Sequence, residues 1–80
     1  RVNAIAPAQI MNEAWAARLQ AEPKQGEHVL HGIPMGRFGS PEEIKGIIIF
    51  LASDASGFTT GAVIPLDGGN LAMNAGGTHY

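Results

Sequence analysis

Apolar positions along this 80-residue chain switch between two periods, and the switches predict its elements. Val2, Ala4 and Ala6 alternate with Arg1, Asn3 and Ile5, a period of two that predicts a short strand, which Pro7 ends. Met11, Trp15 and Leu19 then form a row at i, i+4, i+8. They predict a helix that starts at Asn12-Glu13 and is stopped by Pro23 at about residue 21. Residues 24–32 carry a weaker helical pattern with Val29, Leu30 and Ile33 as its apolar side, and Gly26 and Gly32 predict that it is short and mobile. In residues 41–53, Ile44, Ile47, Ile48 and Leu51 keep the i, i+3, i+4, i+7 spacing, while Ile49, Phe50 and Ala52 carry the apolar surface around most of the circumference. A helix of that kind is expected to be buried, with cover on two sides.

The start of this helix is marked several times over. Ser40 and Glu43 have the spacing of a capping box, Pro41 occupies the first helical position, and Glu42 and Glu43 put negative charge at the positive end of the helix dipole. Residues 33–39 ahead of it, with Pro34, Gly36 and Gly39, read as loop. Asp54-Ala55-Ser56-Gly57 and Asp67-Gly68-Gly69-Asn70 read as turns, and residues 75–80 as a flexible tail. Between the two turns, Ala62-Val63-Ile64-Pro65-Leu66 is the brief apolar run of a strand buried on both faces. Pro65 has no N–H, which places that strand at a sheet edge. Two strands with helices between them, no internal repeat and no domain boundary fit the end of an alternating α/β fold. In such a sheet ligands bind beyond the carboxyl ends of the strands, where Ala8, Gln9, Ile10 and Met11 fall.

Composition narrows the function classes. The charged fraction is 15%, well below the usual quarter for a free-standing domain. With the all-round apolar helix and the start at Arg1, it leads us to expect a piece of a larger fold. A net charge of −2 gives no footprint for nucleic acid or an anionic membrane. Without cysteine there is neither a disulfide framework nor a cysteine-based zinc site. No apolar run approaches a membrane span, and no basic-plus-apolar leader is read. His28 and His31 are three apart, but two solvated histidines explain them better than a metal pair without a third ligand. Gly36-Arg37-Phe38-Gly39 matches the GXXG loop of KH nucleic-acid-binding domains, yet Pro34 interrupts the helix such a domain needs and no basic patch surrounds Arg37.

Taken together, Arg1-Val2-Asn3-Ala4-Ile5-Ala6-Pro7, Gly36-Arg37-Phe38-Gly39-Ser40-Pro41-Glu42-Glu43-Ile44, Phe50-Leu51-Ala52-Ser53-Asp54-Ala55-Ser56, Thr60-Gly61 and Asp67-Gly68-Gly69 resemble the C-terminal portion of the short-chain dehydrogenase/reductase family, in its order and spacing. The resemblance covers nearly all of residues 1–69. It implies an α/β fold, the last part of a Rossmann-type doubly wound parallel sheet, in a cytoplasmic oxidoreductase that uses NAD or NADP to interconvert an alcohol and a carbonyl. By resemblance, residues 1–10 are a strand and a nicotinamide-side loop, with Pro7, Ala8, Ile10 and Asn12 as cofactor-binding residues. The Ile10 backbone would pair with the carboxamide, and Asn12 stands where the family has threonine. Residues 11–39 would form a lobe over the substrate, with Met11, Trp15 and Leu19 as its contacts. Residues 40–69 would supply the last helix and the edge strand, which commonly pack across a twofold axis in a homotetramer, and residues 70–80 a tail.

Two departures bear on the site. Ala8 adds a methyl where the family usually has glycine, and Asn12 replaces threonine but keeps a donor and an acceptor. The Gly-rich phosphate loop and the tyrosine–lysine pair have no counterpart in this stretch, whose only tyrosine is Tyr80. The resemblance therefore implies a partner in the remainder of the same enzyme, which would bring the catalytic residues. Asn12 is also a favoured N-cap, alone or together with a ligand role. Trp15 suits a core position as well as a substrate contact. Arg37 suits a structural ion pair near the helix start better than a cofactor phosphate. A different reading makes the chain a small non-catalytic interaction module that binds a partner through the apolar face of Ile44 to Leu51.

Overall fold

A computed structural model describes residues 1–74 of the chain. Two strands, β1 (Ala4–Pro7) and β2 (Val63–Leu66), pair in parallel with Ala4 opposite Val63 and Pro7 opposite Leu66. The Ala4 N–H donates to the Ala62 carbonyl at 2.9 Å and the Ala8 N–H to the Leu66 carbonyl at 3.2 Å. Backbone groups alternate sides along a strand, so Ala62 and Leu66 face β1 and the Pro65 nitrogen points away from it. The missing N–H thus falls on the open edge, as the sequence requires.

The crossover from β1 to β2 carries α1 (Glu13–Ala21), α2 (Pro23–His31), a 3₁₀ turn (Pro41–Ile44), α3 (Lys45–Ala52) and a second 3₁₀ turn (Asp54–Ser56). The single helix expected over residues 41–53 is therefore tightened in its first turn. There the Glu43 N–H reaches back to the Ser40 carbonyl at 3.0 Å, and Pro41 has no N–H to contribute. The Glu43 carboxylate accepts the Ser40 N–H at 3.0 Å, which is the returning arm of a capping box.

The expected burial of this helix is corrected within the chain: Ile48, Ile49 and Phe50 are 50%, 68% and 40% exposed. A two-stranded sheet offers too little surface to cover an all-round apolar helix. Arg1 holds its far end. The guanidinium donates to the Ser56 carbonyl and Oγ, both at 2.9 Å, to the Thr59 carbonyl at 3.2 Å, and to the Leu51 carbonyl at 3.3 Å. A cation with a planar fork at the carbonyl end of a helix satisfies orphan acceptors and the dipole together.

The helical stretch expected at residues 24–32 is present as α2. α2 is a regular nine-residue helix, the same length as α1, with Pro23 at its start and Gly32 at its C-cap. Gly26, which reads as a breaker, is buried because it lets the two helices approach: a Cβ there would lie 2.5 Å from Leu19 Cδ2. Among the described residues, Ile33 is the one buried apolar side chain, 4% exposed. It sits under the turn after β2, where Gly68 (φ 63°) and Gly69 (φ 96°) take left-handed backbone that favours glycine. A Cβ on Gly68 would lie 2.7 Å from Ile33 Cγ2, and one on Gly69 would lie 3.0 Å from Pro34 Cγ.

That turn continues into α4 (Asn70–Asn74), a helix that the turn-then-tail reading did not include. The Asp67 carboxylate accepts the Gly69 N–H at 3.0 Å and the Leu71 N–H at 2.9 Å, which caps the new helix. The expected flexible tail at 75–80 lies outside the described residues.

Candidate cofactor and substrate site

Beyond the carboxyl end of β1 the chain bends at Gln9, after a cis Ala8–Gln9 peptide, and then forms an isolated parallel bridge between Ile10 and Gly39. The Met11 N–H donates to the Gly39 carbonyl at 2.8 Å, and the Gly39 N–H to the Gln9 carbonyl at 3.0 Å. Close approach explains Gly39, since a Cβ there would lie 2.8 Å from Ile10 Cδ1. In this pattern Ile10's own N–H and carbonyl turn away from Gly39. Among the described residues no hydrogen bond uses either group. One donor and one acceptor on a single extended residue match the two polar groups of a primary amide.

Asn12 is the N-cap of α1 in extended backbone, and its Oδ1 accepts the Trp15 N–H at 2.8 Å. The cap role is made, and it leaves the Nδ2 donors outward, with no hydrogen bond to them among the described residues. Pro7, Ala8 and Ile10 follow one another out of β1, so the sequence-derived cofactor residues Pro7, Ala8, Ile10 and Asn12 fall in one continuous segment.

Of the three substrate-side residues, Trp15 and Leu19 lie one turn apart on α1 and Met11 just ahead of its N-cap, and each meets a different neighbour. Met11 is half-buried beside the Gly39 bridge. Trp15 packs edge-to-face on Phe38, with ring centroids 5.2 Å apart, and carries the Arg18 guanidinium 5.1 Å from its ring. Leu19 covers Gly26 of α2. Trp15 therefore ties α1 to the loop that leads into the 3₁₀ turn.

A cleft of about 150 Å³ opens on the other side of the bridge, between Ala8, Gln9 and Ile10, the Arg37–Glu43 pair, and Asp67. Arg37 and Glu43 form a two-pronged ion pair at 2.7 and 3.0 Å. The Arg37 hydrogen bond, followed by that of the Ser40 N–H, holds the Glu43 carboxyl down to about 2. The same bond raises Arg37. Arg37 is thus committed to the helix start. Among the described residues no group of three or more metal-ligating side chains occurs, and no helix is long and apolar enough to cross a membrane.

Sequence reasoning missed Arg1, Asn70 and Asn74. Arg1 acts on groups 50 to 58 positions away, and the two asparagines both reach the Gly32 carbonyl, at 2.6 and 2.7 Å. The one available signal was a cation heading a strand that returns beside a helix end.

A parallel strand pair joined by a helical crossover places the chain among α/β proteins. The chain belongs to the short-chain dehydrogenase/reductase family: the family model described as enoyl-(acyl carrier protein) reductase matches residues 1–70. A 3-oxoacyl-(acyl-carrier-protein) reductase of Thermotoga maritima is 48% identical over 69 residues, 86% of this chain and 27% of that protein. An Agrobacterium tumefaciens protein described as a 2-deoxy-D-gluconate 3-dehydrogenase, solved with bound NADP, superposes with a TM-score of 0.82 at 42% identity over 90% of this chain and 29% of its own. An oxidoreductase of the short-chain dehydrogenase/reductase family from Burkholderia thailandensis gives a TM-score of 0.80 at 36% identity, over 94% of this chain and 30% of its own. The chain thus spans under a third of the length of these relatives, and its fold is that part of a Rossmann-type sheet.

Proposed function

We propose that the chain is the C-terminal segment of an NAD(P)-dependent oxidoreductase that interconverts an alcohol and a carbonyl. In it, β1 and the loop beyond supply one wall for the nicotinamide, α1 and α2 a lobe over the substrate, and α3 with β2 an oligomer interface. The observation that carries the reading is the outward donor–acceptor pair of Ile10, at the carboxyl end of a parallel strand in a chain 42% identical to a protein solved with NADP. A cofactor held there would supply hydride transfer to or from the substrate carbon, with a proton completing the change between carbonyl and alcohol. Ile10 would orient the ring through its carboxamide. Asn12 Nδ2 would add a donor while Oδ1 stays on the Trp15 N–H. Trp15, held by Phe38, would exclude water on the lobe side. The tyrosine, lysine and serine of the family, with the Gly-rich phosphate loop, would come from the remainder of the same enzyme, in a cytoplasmic homotetramer.

The exposed Ile48, Ile49 and Phe50 of α3 and Val63 of β2 support the interface role, and the three on α3 equally favour the second reading, a non-catalytic module that binds a partner through the apolar face of Ile44 to Leu51. Intact mass followed by NADH and NADPH fluorescence titration separates the two. A protein about three times this length that binds either nucleotide supports the dehydrogenase. A folded 8.4 kDa species that binds neither sinks it.

A further inference from the structure

The lobe formed by α1 and α2 meets the rest of the chain at the Met11–Gly39 bridge, at the Trp15–Phe38 contact and at Gly32. Gly32 closes α2, its carbonyl is one of the orphan acceptors of a helix end, and the residue is buried. Two side chains from α4 converge on that one oxygen: Asn70 Nδ2 donates at 2.6 Å and Asn74 Nδ2 at 2.7 Å. The two donors lie one helical turn apart, so a single face of α4 grips a single atom. Immediately beyond, Ile33 sits under Gly68, and the Met35 N–H donates to the Gly68 carbonyl at 3.0 Å. The grip is in turn anchored by Asp67, whose carboxylate caps α4. A continuous path therefore runs from the end of β2 through α4 to the end of α2, and through the Gly26–Leu19 contact to α1.

We propose that Asn70 and Asn74 are positioning residues that set the placement of the α1–α2 lobe, and hence the substrate contacts on α1, by clamping the Gly32 carbonyl. The lobe role rests on the dehydrogenase reading, while the clamp itself does not. Replacing both donors with isosteric carboxylates turns attraction into repulsion against the same oxygen with almost no change of volume.

The test is Asn70→Asp with Asn74→Asp in the whole enzyme, alongside Asn74→Ala, which keeps one arm of the clamp and guards against loss of folding. Hydrogen–deuterium exchange is followed over α1, α2, α3 and β2, with KM, kcat and NADPH affinity measured in parallel. The clamp predicts at least tenfold faster exchange in α1 and α2, with α3 and β2 within twofold of the parent protein. It also predicts at least a fivefold rise in substrate KM, with kcat and NADPH affinity within twofold. Asn74→Ala should move the same readouts by a smaller factor. Unchanged lobe exchange, exchange rising equally in α3 and β2, or KM, kcat and cofactor affinity worsening together would each overturn the proposal. A parent protein that binds neither nucleotide would instead remove the dehydrogenase reading, and the exchange result would still decide the clamp.

Discussion

Replacing Gly68 with alanine tests whether the turn after β2 is held by backbone geometry alone or by contact with Ile33. At φ 63° an L-residue costs about 1–2 kcal/mol. The new Cβ would also lie 2.7 Å from Ile33 Cγ2, and Ile33 is only 4% exposed and cannot swing into solvent. Overpacking of this kind costs about 1–3 kcal/mol. Gly36 supplies an internal control, because its φ is 74° but a Cβ there would meet nothing within 4 Å. Gly36→Ala should therefore show the backbone cost alone, and Gly68→Ala should be less stable than it by about 1–3 kcal/mol. Urea unfolding of the whole enzyme, followed by far-ultraviolet circular dichroism with the slope held common, measures the difference. Equal midpoints for the two variants would show that Ile33 is not packed against the turn, and would refute the account of why this position needs glycine.

Asn12→Ser keeps a good N-cap and loses the outward Nδ2, so stability should hold while NADPH affinity falls about two- to tenfold, the value of one hydrogen bond. Equal affinity would remove Asn12 from the cofactor set. Arg1→Lys keeps the charge at the end of α3 but loses the fork, and should destabilise the enzyme by about 1–2 kcal/mol, read from the same urea curves. Glu43 is held at about 2, below its ordinary 4.5, so its stabilising effect is full above pH 4.5 and fades as pH falls towards 2. The stability gap between parent and Glu43→Gln should accordingly narrow over that window, and a gap that is constant from pH 5 to pH 2 would contradict the ion pair. The separately expressed 80-residue chain, with Ile33 as the one buried apolar side chain among its described residues, should melt without a cooperative transition and bind a hydrophobic dye.

Local chemistry made much of this fold legible. Ser40, Pro41 and Glu43 announce a helix start through contacts within four positions, and the structure forms its turn there. Asn12 likewise reads as a cap because its partner, the Trp15 N–H, is three residues away. The two strands and the Pro65 edge follow from pattern and from one missing donor. Reading failed where the deciding partner is distant. Gly26 looks like a breaker until Leu19 is placed against it. Asp67-Gly68-Gly69-Asn70 looks like the end of the structure until Gly32 offers a carbonyl to the helix that follows. The apolar helix reads as buried from its composition, and a two-stranded sheet covers too little of its circumference. The outward groups of Ile10 are backbone atoms, and no side-chain pattern encodes them. The family resemblance alone singled out that position.

The parallel pairing of β1 and β2 has a consequence for the order of folding. Asn3 and Ala62, which exchange hydrogen bonds with each other's neighbourhoods, are 59 positions apart, and every β1–β2 contact closes a loop of similar size. Closing roughly sixty residues costs about 3–4 kcal/mol in chain entropy before any contact is gained. The capped turn at Ser40, the Asn12 helix start and the α1–α2 pair need no such closure and are free to form first. The sheet is then a late event in which Arg1 and Asn3 are drawn across to the far end of the segment. Mutations at Arg1, Asn3 and Thr59 should therefore speed unfolding more than they slow folding, which makes this seam a determinant of how long the folded state lasts.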